Sequence, residues 1–146
     1  MHSGHPLTDA DRWDWLILLR QAAVDQIAGG AAGVVVACSA LKQKYRDVMR
    51  IASYFHHDIN VHLVYLHANE ELLIERVKAR QGHYMKDVMV HSQFSSLEEP
   101  KEDELAKDCL IVDVSGPSDE VQASALEAVK DAIAKAAATT HAKTSI

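Results

Sequence analysis

Three short clusters in this chain carry residue types suited to binding anions. Ser39-Ala40-Leu41-Lys42 combines a hydroxyl, a cation and a run of backbone N–H groups where a helix should begin. The partial positive charge of a helix start favours an anionic ligand there. Ser39 serves equally well as a plain N-cap with Lys42 solvated beside it, and position alone does not choose between the two readings. Tyr45, Arg46 and Arg50 continue the segment, and Arg46-Asp47 has the spacing of a local surface pair, an interaction worth little. The second cluster gathers Arg76, Lys78, Arg80, His83 and Lys86 within eleven positions, with Gly82 allowing the chain to bend. Guanidinium forks match phosphate oxygens in bidentate geometry, so in an acidic chain this patch reads as a polyphosphate clamp, although cations at a helix C-terminus would look similar. The third cluster is Asp9, Asp11 and Arg12. Both acids suit a helix N-terminus by dipole alone, which leaves Arg12 as the member that needs another explanation.

The elements that must position these residues follow from periodicity. Thr8-Asp9-Ala10-Asp11 fits a capping pattern, and Trp15, Leu16, Leu18, Leu19, Ala22, Ala23 and Ile27 then recur at helical spacing, so a helix is expected over 9–28. Gly29, Gly30 and Gly33 end it. Val34-Val35-Val36-Ala37-Cys38 is a continuous, mostly β-branched run and reads as a strand buried on both faces. Helix is expected over 42–52 and 70–80, and strand over 62–66 and 110–112. Residues 81–96 read as helix broken by loop, 98–108 as an acidic connection around Pro100, and 120–138 as an alanine-rich helix followed by a frayed tail over 139–146. Strands separated by helices need crossover connections, which predicts an α/β protein with a mainly parallel sheet and helices on both faces. Three strands are few for such a sheet, which usually has about five or six. Neither repeat nor linker divides the chain, so one domain over 1–138 is expected.

Composition excludes several classes. The chain has 146 residues and a net charge of −6, from twenty-one acidic residues against fifteen Lys and Arg, which argues against nucleic acid or an anionic membrane as a partner. No apolar run approaches the roughly 20 residues of a membrane span. Cys38 and Cys109 lie in apolar runs far apart, as buried reduced thiols would, which favours the cytoplasm. The nine histidines show no metal-ligand spacing; His62 and His67 fall on opposite faces of a strand, and no metal site is expected from them. Of the two tryptophans, Trp15 is expected in the core and Trp13 partly exposed.

Four blocks together resemble the gluconokinase family. They are Gly4-His5-Pro6-Leu7-Thr8-Asp9-Ala10-Asp11-Arg12-Trp13-Asp14-Trp15-Leu16, then Cys38-Ser39-Ala40-Leu41-Lys42-Gln43-Lys44-Tyr45-Arg46-Asp47, then Arg76-Val77-Lys78-Ala79-Arg80-Gln81-Gly82-His83-Tyr84-Met85, and Ser92-Gln93-Phe94 with Leu97-Glu98-Glu99-Pro100. The resemblance implies a three-layer, P-loop kinase-like α/β fold with a mainly parallel sheet, incomplete at its N-terminal side. It implies transfer of the γ-phosphoryl of ATP, with Mg²⁺, to the 6-hydroxyl of D-gluconate, in gluconate catabolism feeding the pentose phosphate pathway. ATP and D-gluconate are the implied small-molecule partners, and a homodimer stays open. By the same resemblance Arg76 and Arg80 belong to a lid over the ATP phosphates, with His83 beside them on the substrate side. Ser39, Lys42 and Arg46 line the gluconate side, Arg12 reaches the sugar acid, and Gly116-Pro117 approaches adenine. Arg80 and Lys42 are the catalytic candidates. The family's G-x-x-x-x-G-K-[ST] phosphate loop would precede Gly4, and no such block stands in this chain; Gly29-Gly30-Ala31-Ala32-Gly33 lacks the Lys-Ser/Thr pair. The expectation is therefore a chain with little turnover alone, the alternative being a non-catalytic fragment that binds or regulates a full-length kinase.

Overall fold

The structure is a computed structural model that describes residues 9–79 and 86–144. Its elements in chain order are α1 (Asp9–Ala28), α2 (Gln43–Phe55), β1 (Leu63–His67), α3 (Glu70–Ala79), α4 (Lys86–Ser96), α5 (Glu102–Lys107), β2 (Cys109–Asp113) and α6 (Ser118–Thr144). The chain divides into two compact units, the first containing residues 1–61 and 83–99, the second 62–82 and 100–146.

The first unit is built on α1 packed against α2. Leu16 of α1 and Tyr45, Val48 and Met49 of α2 are buried together, and a second cluster joins Val24, Ala52 and Ile59. Leu16, Ala23, Val24 and Ile27 make one stripe at helical spacing along α1, which explains why the helix docks by that face. Trp15 falls off this stripe and is 47% exposed, against the expectation of a core residue. Arg20 lies along the stripe and donates from Nη1 to the Val48 carbonyl at 2.9 Å, which ties the two helices beside their apolar contact.

Val34-Val35-Val36-Ala37-Cys38 is not a strand, which corrects the sequence reading. A β-branched run becomes a strand only where a neighbouring backbone supplies ladder hydrogen bonds, and among the described residues none pairs with it. Its burial also alternates: Val36, Cys38 and Ala40 pack against the first apolar cluster, while Val35 is 99% exposed. The run is therefore covered on one side only. Burial pushes the Cys38 thiol up from its ordinary value.

In the second unit β1 and β2 pair in parallel, in register from Leu63 with Cys109 to His67 with Asp113. Helices α5 and α6 pack against β2. The acidic connection contains the short helix α5, whose first turn holds Glu102, Asp103 and Glu104 and whose last turn holds Lys107, a charge order that suits the helix dipole. Helix α6 runs to Thr144, past the boundary expected at residue 138. Asn69 caps α3, its side-chain oxygen accepting from the Leu72 N–H at 2.8 Å. No helix among the described residues is long and apolar enough to cross a membrane.

Candidate functional site

Within the first unit, the start of α1, the start of α2 and the last turns of α4 surround a cavity of about 220 Å³. Asp9, Arg12, Leu41, Lys42, Tyr45, Ser92, Gln93 and Ser96 line it. Packing explains how sequence-distant residues meet there. Tyr45 places its ring in the core beside Leu16, and its hydroxyl emerges at the beginning of α1 and donates to the Asp9 carboxylate. Lys42 donates to the same carboxylate at 3.3 Å, and Lys44 bonds its other oxygen. Both ammonium groups flank the Tyr45 ring, 5.8 Å and 5.7 Å from its centroid.

Three donors on one carboxylate fix its charge state. Lys44 first, then the Tyr45 hydroxyl and Lys42, hold the Asp9 carboxyl far below the usual carboxylate range. The phenol responds in the opposite sense: burial, and then the hydrogen bond to Asp9 and its negative charge, push Tyr45 up to about 12. Tyr45 thus stays a neutral donor at physiological pH. The lining holds one carboxylate against the two cations Arg12 and Lys42, so it is net positive, while Ser92, Gln93 and Ser96 add hydroxyl and amide groups that match a polyol. A monoanion bearing several hydroxyls suits this chemistry.

Of the residues singled out from sequence, Arg12 and Lys42 come together at this cavity. Ser39 is exposed and outside the lining. Arg46 is buried at 4% exposure, and its guanidinium donates to three backbone carbonyls, those of Ala40 at 3.0 Å, Leu41 at 3.2 Å and Glu98 at 2.9 Å. Asp47, considered as an Arg46 partner, accepts from Arg50 at 2.8 Å. Arg80 and His83 lie outside the described residues.

In the second unit the structure brings Arg76 and Gly116 together: Arg76 Nη2 donates to the Gly116 carbonyl at 3.2 Å. This loop leaves β2 at the carboxyl end of the parallel pair, the end at which α/β sheets bind ligands. Its turn is set by Asp113, whose carboxylate accepts from the Ser115 N–H at 2.8 Å. The Ser115 hydroxyl and then this N–H hold the Asp113 carboxyl below its ordinary value. Among the described residues no group of three or more His, Cys, Asp or Glu is placed to hold a metal ion. Asp9 is engaged by Lys42, Lys44 and Tyr45, and Asp113 by Ser115.

The residues that sequence reasoning passed over are Asp9 as an acceptor, the Tyr45 hydroxyl, Glu98, and the α4 trio Ser92, Gln93 and Ser96. Position in helices hides all of these but Glu98, because a helix-start acid or a core-facing tyrosine has an ordinary structural explanation. The signal that could have found them is that, Ser96 apart, all belong to the quoted blocks.

The structure aligns with the crystal structure of a gluconokinase from Sinorhizobium meliloti 1021 with a TM-score of 0.74 and 33% identity, covering 98% of this chain and 73% of that one. The fold is accordingly of the P-loop kinase-like α/β class. In sequence the chain is 41% identical over 130 residues to a probable gluconokinase from Schizosaccharomyces pombe, covering 88% of this chain and 66% of that protein. It is 39% identical over 130 residues to the thermoresistant gluconokinase of Escherichia coli, covering 89% and 70%. The chain belongs to the gluconokinase family. It spans about two thirds of the length of these curated relatives. No protein-family model matches it.

Proposed function

We propose that this chain supplies the sugar-acid half of a gluconokinase, the reaction being ATP + D-gluconate to ADP + 6-phospho-D-gluconate in gluconate catabolism. The observation that carries the reading is the net-positive, hydroxyl-matched cavity of the first unit, found in a chain of this family. Arg12 and Lys42 bind the carboxylate of the sugar acid, and Ser92, Gln93 and Ser96 exchange hydrogen bonds with its hydroxyls. Asp9 and Tyr45 orient Lys42, which limits the number of rotamers the substrate must fix on binding. Arg76 holds the loop at Gly116 and Pro117, where adenine would lie, and Arg80 and His83 complete the lid side by family resemblance. ATP, on this reading, supplies the phosphoryl group, with Mg²⁺ as the family's accompanying ion. The cytoplasm and a single domain over 1–138 belong to the same proposal.

The test is an assay of gluconate-dependent ADP release from this chain extended at its N-terminus by the G-x-x-x-x-G-K-[ST] segment of a gluconokinase relative. Expected is activity that falls at least tenfold in Lys42→Ala and in Arg12→Ala, the loss of one charge-assisted contact to a carboxylate each. Undiminished activity in both would overturn the reading. The 146-residue chain contains no G-x-x-x-x-G-K-[ST] block, and it should bind gluconate in a calorimetric titration while releasing no ADP in this assay.

A further inference from the structure

The segment carrying Lys42 and Tyr45 enters α2 without a cap of its own: Lys42, at the N-cap position, makes no side-chain capping bond. Glu98 takes over that function from fifty-five residues away, its Oε1 accepting from the Gln43 N–H at 2.9 Å. Its backbone is engaged as well. The Glu98 N–H donates to the Leu41 carbonyl at 2.7 Å, and the Glu98 carbonyl accepts from Arg46 Nη2 at 2.9 Å. Arg46 Nη1 closes the ring on the carbonyls of Ala40 and Leu41. Glu98 thus grips the helix start by side chain and backbone together, and it follows two residues after Ser96, the last cavity-lining residue of α4.

We propose that Glu98 is a positioning residue: acting through the backbone of residues 40–43, with Arg46 as its buried counterpart, it sets where Lys42 and the Tyr45 hydroxyl stand in the cavity. The alternative, a surface acid contributing only charge, does not account for three bonds from one residue to one chain segment. The ligand concerned is a sugar acid, and to that extent the inference rests on the proposed function. Glu98 is exposed, so replacing it leaves the apolar core untouched.

The experiment compares Glu98→Gln with Glu98→Ala in the 146-residue chain. Both remove the charge, but only glutamine keeps an oxygen for the Gln43 N–H. Three readouts are taken: hydrogen exchange of the Gln43 amide, the ¹³Cζ resonance of Tyr45, which reports its bond to Asp9, and the dissociation constant of D-gluconate. Expected is wild-type behaviour in Glu98→Gln. In Glu98→Ala, Gln43 exchanges faster, Tyr45 ¹³Cζ shifts and gluconate binds about three- to tenfold more weakly, as loss of one hydrogen bond at a site's support implies. Equal effects of Gln and Ala, or an unmoved Tyr45 resonance in Glu98→Ala, would overturn the proposal. A Gln/Ala split at Gln43 and Tyr45 in a chain that shows no gluconate affinity would support the positioning role while refuting the sugar-acid reading.

Discussion

Tyr45→Phe separates the two roles of Tyr45, a ring in the core and a hydroxyl on Asp9. The ring is 2% exposed and stays in place in the variant; the hydroxyl is lost, while water can reach the half-exposed Asp9. One hydrogen bond to a charged acceptor that solvent can replace is worth about 1 kcal/mol, so the variant should be less stable by about that amount at pH 7. The phenol also makes stability depend on pH. Its ordinary value of 10.0 is raised to about 12, so between these values the unfolded chain releases a proton that the folded chain keeps. Stability from this group is therefore fully present below pH 10 and is lost as pH rises through 12, by about 3 kcal/mol. Phenylalanine has no proton to lose. The two stability curves should cross between about pH 10.5 and 11, with the variant more stable above the crossing. Other groups that titrate in alkali are common to both chains and cancel in the difference. Urea unfolding followed by circular dichroism from pH 7 to 12 supplies the curves. Parallel curves, or a gap that widens with pH in favour of the wild type, would refute a buried, neutral Tyr45 donating to Asp9.

Further outcomes follow from the same geometry. Leu16→Ala, which opens a void beside Tyr45, Val48 and Met49, should cost about 2–5 kcal/mol in urea unfolding, and a loss under 1 kcal/mol would show that α1 is not docked by this face. The Asp9 carboxyl is held far down by Lys44, Tyr45 and Lys42, so its stabilising effect is present above the ordinary value of 3.8 and fades only as pH falls through the lowered one. Asp9→Asn should flatten the acid limb of a thermal-midpoint profile; an identical limb would contradict the three-donor arrangement. Arg76→Ala should weaken ATP more than gluconate in the chain extended by a relative's phosphate-loop segment, because it releases the Gly116 carbonyl; the reverse selectivity in binding titrations would place Arg76 elsewhere.

The parts of the fold that rest on local signals were legible. Helix α1 ends at the expected residue because the glycines behind it are a local signal. Strands β1 and β2 fall within a residue of expectation at each end, since their apolar runs also have each other to pair with. Val34-Val35-Val36-Ala37-Cys38 shows the limit, because composition records β-propensity but not the presence of a pairing partner. Arg46 shows another. An arginine one turn into a helix reads as a surface cation, and nothing local reveals that three carbonyls converge on it from residues 40, 41 and 98. The cavity was half legible: Arg12 and Lys42 stood out as cations in an acidic chain, while Asp9, Tyr45 and Gln93 are types whose role appears only once α1, α2 and α4 meet.

The central claim is that the first unit's cavity binds a sugar acid by its carboxylate. Backbone and side-chain chemical-shift mapping of the 146-residue chain, titrated with D-gluconate and, separately, with its uncharged polyol analogue D-glucitol, tests it directly. The account predicts gluconate-dependent shifts at Arg12, Lys42, Ser92, Gln93 and Ser96, with glucitol at the same concentration producing little change. Equal responses to the two polyols, or gluconate shifts confined to residues 62–79 and 100–144, would contradict it.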